Sequence, residues 1–283
     1  MEKVIISDLK GLEKKKKRMI REGAGNLHVL SDFDRTLTYS TFNGEKTPSL
    51  IHQLRNGNYI SKDYAKRAHA LYEKYHPIEC SNIPQEEKNK KMFEWWDAHF
   101  KLLVECGLDL KTIEKASKDI IEEGVIRLRK GVVEFLKVAD KNKIPIIILT
   151  SSIGELASEF LKQQQLLLDN IYVTGNNLKF DDKGKFIGID KIIHVFNKHE
   201  SEIKTLPVYK KIENRGNVIL LGDSLGDVGM AEGVEHENII KIAFLDESEK
   251  GSLEKFKENF DVVLLGDPDF SFVNRLVEEI LGK

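Results

Sequence analysis

Short, almost unbroken apolar runs recur along this chain at Leu27–Leu30, Ile144–Leu149 and Val218–Leu221, and residues 239–244 and 261–265 add two more. Runs of this length without polar alternation are typical of strands covered on both faces, as in a parallel sheet between helices. Elsewhere the pattern changes to helical spacing. Ser61 to Tyr75 opens on an N-cap residue and repeats Tyr64, Ala68, Leu71 and Tyr72. Glu86 to Cys106 places Met92, Phe93, Trp96, Phe100 and Leu103 on one stripe, and Leu110 to Glu123 carries Ile113, Ile120 and Ile121. Gly131 to Asn142 reads as a helix feeding the Ile144 strand, and Phe270 to Leu281 as a closing helix. Ile171–Val173 and Phe186–Ile189 flank Asp181-Asp182-Lys183-Gly184, which predicts a β-hairpin. Strands alternating with helices predict an α/β fold.

The polar residues that follow these runs carry the candidate chemistry. Asp32-Phe33-Asp34-Arg35-Thr36 comes directly after the first strand. In an open α/β sheet, ligands sit outside the carboxyl ends of the strands. Two carboxylates crowded there repel each other and call for a hard cation such as Mg²⁺. Taken alone, the pair also fits a solvated turn. A second acidic pair, Asp223 and Asp227, follows the Val218 run, and Gly222 and Gly226 free the backbone to turn there. The Ile144 run ends in Thr150-Ser151-Ser152, small hydroxyl residues suited to holding a phosphate at a helix start. Lys198 supplies a cation able to neutralise phosphate charge.

These four segments, in this order, resemble the haloacid dehalogenase-type (HAD) phosphohydrolases. The resemblance implies a Rossmann-like, mostly parallel sheet flanked by helices, with a helical cap inserted between the first and second core strands. On that reading residues 1–45 and 129–283 form the core and residues 46–128 the cap. Longer segments narrow the likeness. Lys74-Tyr75-His76-Pro77-Ile78-Glu79, Met92-Phe93-Glu94-Trp95-Trp96 and Ile193-His194-Val195-Phe196-Asn197-Lys198-His199 are similar to the cytosolic pyrimidine 5′-nucleotidases over nearly the whole chain.

The resemblance implies roles for individual residues. Asp32 is the nucleophile that forms an aspartyl-phosphate, and Asp34 is the acid and then the base. Mg²⁺ is bound by Asp32, the Asp34 backbone carbonyl and Asp223, with Asp227 orienting groups behind them. Thr150, Ser151 and Lys198 hold the phosphoryl oxygens. In the cap, Glu94 approaches the nucleobase and Ser117 contacts the nucleoside; each also fits an ordinary helix-surface residue. Trp95 and Trp96 offer faces on which a pyrimidine could stack, although Trp96 lies on the apolar stripe, where cap core is expected.

Composition bounds the remaining possibilities. A chain of 283 residues buries a full α/β core with a small second unit. A net charge of −2 gives no reason to expect nucleic acid or an anionic membrane as partner. The run Lys14–Arg18 fits a solvated helix face, and His194 and His199 fit structural roles. Cys80 and Cys106 are the only cysteines, so reduced thiols in a cytoplasmic protein are expected. The first residues lack the apolar core of a signal peptide, and no run is long enough to span a membrane. The expected function is Mg²⁺-dependent hydrolysis of pyrimidine nucleoside 5′-monophosphates (UMP, CMP) by a monomer. The alternative is a HAD phosphatase or phosphotransferase acting on another phosphomonoester, such as phosphoserine or 7-methylguanosine monophosphate.

Overall fold

The computed structural model describes residues 3–204 and 206–282; residues 1–2 and 283, at the ends of the expected core, lie outside them. Strand β1 (Lys3–Ile6) leads into α1 (Leu9–Glu22) and β2 (Leu27–Ser31). A small hairpin of β3 (Thr41–Phe42) and β4 (Glu45–Lys46) precedes α2 (Leu50–Asn56), α3 (Lys62–Cys80), α4 (Gln85–Glu105) and α5 (Leu110–Glu123). Helix α6 (Val132–Lys141) returns the chain to β5 (Ile146–Ile153), followed by α7 (Gly154–Gln163) and β6 (Ile171–Asn176). A second hairpin joins β7 (Leu178–Phe180) to β8 (Phe186–Ile189). Then come β9 (Asn217–Gly222), β10 (Asn238–Leu245), α8 (Leu253–Asn259), β11 (Val262–Leu265) and α9 (Ser271–Ile280).

Seven strands form one sheet in the order β1-β11-β10-β9-β2-β5-β6. Neighbours are parallel except β1, which runs antiparallel to β11. β2 lies between β9 and β5, where the direction of strand succession reverses, so its carboxyl end opens on the crevice of the sheet. Every residue of β2 and β9 is buried, as their unbroken apolar runs require. Successive side chains feed opposite layers. Val29, Ile146 and Ile148 join one apolar cluster, and Leu30, Ile147 and Leu149 join the other. Leu50, Phe100, Leu103 and Ile120 belong to the first cluster, so the apolar faces of α2, α4 and α5 are continuous with the core on that side of the sheet.

Local chemistry sets the ends of the elements. Ser61 caps α3 by accepting from the Tyr64 N–H, and Asp109 caps α5 by accepting from Thr112. β5 begins at Ile146 because Pro145 has no N–H to give the ladder. It runs on through Thr150–Ile153 with a register shift after Leu149, past the end that the apolar run predicts. The predicted hairpin is displaced. Ile171–Asn176 pairs parallel with β5 as an edge strand, and the partner of Phe186–Ile189 is Leu178–Phe180. The Asn176 side chain enforces the break between them. Its amide donates to the Ser151 and Ile193 carbonyls and its oxygen accepts from the Ile193 N–H. The basic run on α1 is partly paired: Lys15 with Asp261, Lys16 with Glu279 and Arg18 with Glu22.

Candidate active site

The first acidic segment is shaped by strand alternation. Asp32 continues β2, its N–H donating to the Leu221 carbonyl at 3.0 Å. Phe33 turns into the core, edge-on to Phe160 with ring centroids 5.7 Å apart, so Asp32 and Asp34 face the crevice together. Arg35 then takes a left-handed conformation (φ 62°), which turns the chain away from the strand. The fully buried Arg129 holds this turn from behind. It donates to the carbonyls of Arg35 (2.7 Å) and Thr36 (2.9 Å) and pairs with Asp267 at 2.7 Å. Asp34 accepts the Leu50 N–H at 3.0 Å, so the amino end of α2 fixes its carboxylate.

Lys198 ties the two acidic segments together. Its Nζ lies 2.6 Å from Asp32 Oδ1 and 2.6 Å from Asp227 Oδ1, and all three side chains are at least nine-tenths buried. Asp227 also accepts from the N–H groups of Asp223 (3.0 Å) and Ser224 (2.9 Å). Gly222 is required there, because a Cβ would come 2.4 Å from Asp227 Cβ. Thr150 Oγ1 accepts the Ser152 N–H at 3.0 Å, and Asn176 clamps the Ser151 carbonyl at 2.9 Å.

The electrostatics follow from crowding acids in a dry crevice. Burial first, then the Asp227 and Asp34 carboxylates, push Asp32 up to about 7 against the pull of Lys198. Burial likewise carries Asp34 up to about 6. Asp223 is raised well above the ordinary value by desolvation and by Asp227 and Asp32. Lys198 is held above its ordinary value: burial opposes its charge, but Asp227 and Asp32 outweigh it. An excess of acids over cations in one buried cluster fits a hard divalent ion, and oxygen donors alone are the set that Mg²⁺ prefers.

These residues form the floor of a cavity of about 480 Å³, in which Asp32, Asp34, Thr150, Ser151, Lys198, Asp223 and Asp227 all take part. The facing wall comes from α3 and α4: Tyr72, His76, Glu79, Trp95, Trp96 and His99. Tyr75 and Trp95 stack at 6.0 Å and 10°, and Trp95 and Trp96 at 6.2 Å, so both tryptophans belong to one aromatic wall. Glu79 Oε2 is 2.9 Å from His76 Nδ1. Arg55 of α2 closes a third side, 4.8 Å over the Tyr72 ring. His194 and His199 serve the backbone instead, at the Phe196 N–H and the Gly229 carbonyl. A larger groove of about 1000 Å³ along α1 is walled by Lys14, Lys17 and Arg21 and contains no comparable acid cluster.

Two expected cap contacts are not at this wall. Glu94 precedes Trp95 by one residue, about 100° around the helix, and pairs with Lys91 at 2.9 Å outside the cavity. Ser117 is fully buried between α5 and α7, its hydroxyl 3.5 Å from the Leu156 carbonyl. The carboxylate that does reach the wall is Glu79, inside the Lys74–Glu79 segment that carried the family likeness. Arg55, Arg129 and Asn176 lie in no motif, and no local pattern marks them.

The chain is similar to known proteins over nearly its whole length. A family model described as pyrimidine 5′-nucleotidase (UMPH-1) matches residues 35–281. The 7-methylguanosine phosphate-specific 5′-nucleotidase A of Xenopus laevis is 34% identical over 283 residues, covering 99% of this chain and 96% of that protein. The crystal structure of cytosolic 5′-nucleotidase IIIB bound to cytidine superposes with a TM-score of 0.88 at 27% identity, covering 99% of this chain and 93% of that one. A HAD-family hydrolase from Salmonella enterica shares the fold at 14% identity and a TM-score of 0.57, over 90% of this chain and 72% of its own.

Proposed function

The chain belongs to the pyrimidine 5′-nucleotidase (UMPH-1) family of HAD-like 5′-nucleotidases, and from that premise we propose that it hydrolyses UMP and CMP through an aspartyl-phosphate on Asp32. The observation that carries this reading is the placement of Asp32. It is pinned by Lys198 at 2.6 Å, beside Asp34 and Asp223, on the floor of a cavity whose far wall is aromatic.

The Asp32 carboxylate attacks phosphorus, a new O–P bond forms, and the bond from phosphorus to the 5′-oxygen breaks. Asp34, raised to about 6 by burial, gives its proton to the departing 5′-oxygen. It then takes a proton from the water that attacks the aspartyl-phosphate, which restores Asp32 and releases inorganic phosphate. Thr150, Ser151 and Lys198 hold the phosphoryl oxygens in both steps. Asp32, the Asp34 backbone carbonyl and Asp223 would hold Mg²⁺, whose charge would keep the Asp32 and Asp223 carboxylates ionised and offset that of the phosphate. Residues 46–128 act as the cap: Trp95 and Trp96 stack on the base and the Glu79 carboxylate accepts one of its N–H groups. A reducing cytoplasm suits the two free thiols, Cys80 and Cys106.

A second reading, 7-methylguanosine 5′-monophosphate, is favoured by the same wall. A 7-methylated guanine is cationic, so stacked tryptophans and a carboxylate hold it more firmly than a neutral ring. The relatives named for that substrate support it. Phosphate release from UMP, CMP, 7-methylguanosine monophosphate, AMP and phosphoserine, with Mg²⁺ and with EDTA, tests both. EDTA-sensitive turnover of UMP and CMP upholds the first reading; turnover of the methylated nucleotide alone replaces it with the second. Activity confined to AMP or phosphoserine refutes both.

A further inference from the structure

We propose that His28, Glu200 and His236 form a second metal site, for Zn²⁺, remote from the catalytic carboxylates. His28 lies on β2, roughly 13 Å along the strand from Asp32 at about 3.3 Å per residue. Its side chain and those of Glu200 and His236 are 0%, 1% and 2% exposed. One ligand atom from each falls within 4.8 Å of the others. His28 Nε2 is 3.6 Å from Glu200 Oε1, and His236 Nε2 is 2.8 Å from Glu200 Oε2.

The cluster lacks the bonds that a buried polar group requires. Among the described residues, both ring nitrogens of His28, His236 Nε2 and Glu200 Oε2 are without a hydrogen-bond partner. The 3.6 Å gap is too long for a hydrogen bond. The two separations instead bracket the roughly 3.3 Å between neighbouring donors on a tetrahedral ion with bonds of about 2.0–2.1 Å. Two imidazoles and one carboxylate form a Zn²⁺ set, whereas Mg²⁺ asks for oxygen throughout, so the two sites differ in the ion they select. Arg215, whose charge reaches His28, directs its guanidinium at the carbonyls of Ala24, Leu27 and Lys143 and leaves Glu200 to the histidines.

The three ligands come from three segments: β2, the turn that begins two residues after Lys198, and the connection before β10. A bound ion locks these segments together and thereby positions Lys198. The test is to strip the full chain with chelator and titrate it with Zn²⁺ by calorimetry, with excess Mg²⁺ occupying the catalytic carboxylates. Metal analysis after gel filtration gives the stoichiometry. The wild type and Cys80→Ser are expected to hold one Zn²⁺ per chain. His236→Gln and Glu200→Gln are expected to lose more than the ~10–100-fold in affinity that removing an outer partner costs. Should these variants fail to fold, the Co²⁺-loaded wild type decides by its visible absorption, which is intense only for a tetrahedral ion. The site is overturned if the wild type retains no Zn²⁺, if His236→Gln retains it equally, or if Cys80→Ser loses it. The last would place the metal on the surface pair Cys80 and His76, 3.8 Å apart. A weak, octahedral Co²⁺ spectrum in the wild type overturns it as well.

Discussion

Replacing Asp32 with asparagine abolishes turnover on the mechanism above, and it also makes the metal-free protein more stable at neutral pH. Asp32 is 7% exposed, and its carboxyl is pushed from 3.8 up to about 7, chiefly by burial. That rise of about 3 pH units, at roughly 1.4 kcal/mol each, is worth about 4 kcal/mol. The folded carboxyl binds its proton more tightly than the unfolded one, so between pH ~4 and ~7 the folded state holds the extra proton. Stability from this group is therefore fully present below pH ~4 and is lost as the pH rises to about 7. Asparagine carries no charge and no such slope. The gap between variant and wild type is near zero at pH 4 and widens to a few kcal/mol by pH 8. About 4 kcal/mol is its ceiling, because the amide forfeits the ion pair with Lys198 at 2.6 Å. Urea unfolding in EDTA from pH 4 to 8 measures it, and Mg²⁺ narrows the gap by binding the wild type. A gap that stays flat with pH, or a variant less stable than wild type at pH 8 in EDTA, refutes the reasoning.

Asp34→Asn slows hydrolysis by about 10²–10⁴. Wild-type kcat/KM turns down above about pH 6 as the proton donor ionises, and the variant loses that limb; an unchanged profile would remove Asp34 from the proton transfer. Glu79→Gln raises KM for the preferred nucleotide about tenfold or more, the worth of a hydrogen bond to a charged group, while Glu94→Gln leaves KM unchanged. The opposite pattern in steady-state kinetics would restore Glu94 as the base contact. Gly222→Ala forces a Cβ to within 2.4 Å of Asp227 Cβ and costs about 1–3 kcal/mol in urea unfolding. An unshifted midpoint would mean that the turn yields without strain.

What could be read from the sequence and what could not divide along a physical line. Asp32, Asp34, Thr150, Ser151, Asp223 and Asp227 each sit within a few residues of the end of a buried strand, and the sheet brings the carboxyl ends of its parallel strands to one edge. Their convergence follows from local spacing alone. Residues on α4 and α5 have no such constraint, because which face of a helix meets the cavity is decided by what the helix packs against. Trp96 follows the apolar stripe and faces inward. Glu94, two residues earlier, is carried to the outside with Lys91. Ser117 shares its face with Ile113 and Ile120 and is drawn into the packing against α7. The hairpin was misplaced for a related reason. Ile171–Val173 and Leu178–Phe180 are both apolar enough to pair, and the choice is made by the distant bonds of the Asn176 amide to Ser151 and Ile193. Arg129 is legible only in three dimensions, where its guanidinium meets the Arg35 and Thr36 carbonyls and Asp267.

The same division separates chemistry from selectivity. The floor gathers Asp32, Asp34, Asp223, Asp227 and Lys198 in one cavity, and on the proposed mechanism this arrangement meets the demands of a phosphoryl group whatever base the substrate carries. The wall has no phosphate chemistry to do. Stacked rings accept any base, so on the proposed reading discrimination falls to the few polar groups among them: Glu79 as acceptor and Arg55 as donor, its Nε without a partner among the described residues. Changes in the floor therefore act on kcat for every substrate alike. Changes at Glu79 or Arg55 act on KM and reorder the bases, because a buried polar group left unpaired by the wrong base costs more than any methyl contact gains. A family that keeps one floor and varies this wall can move between pyrimidine and methylated purine nucleotides without altering its mechanism.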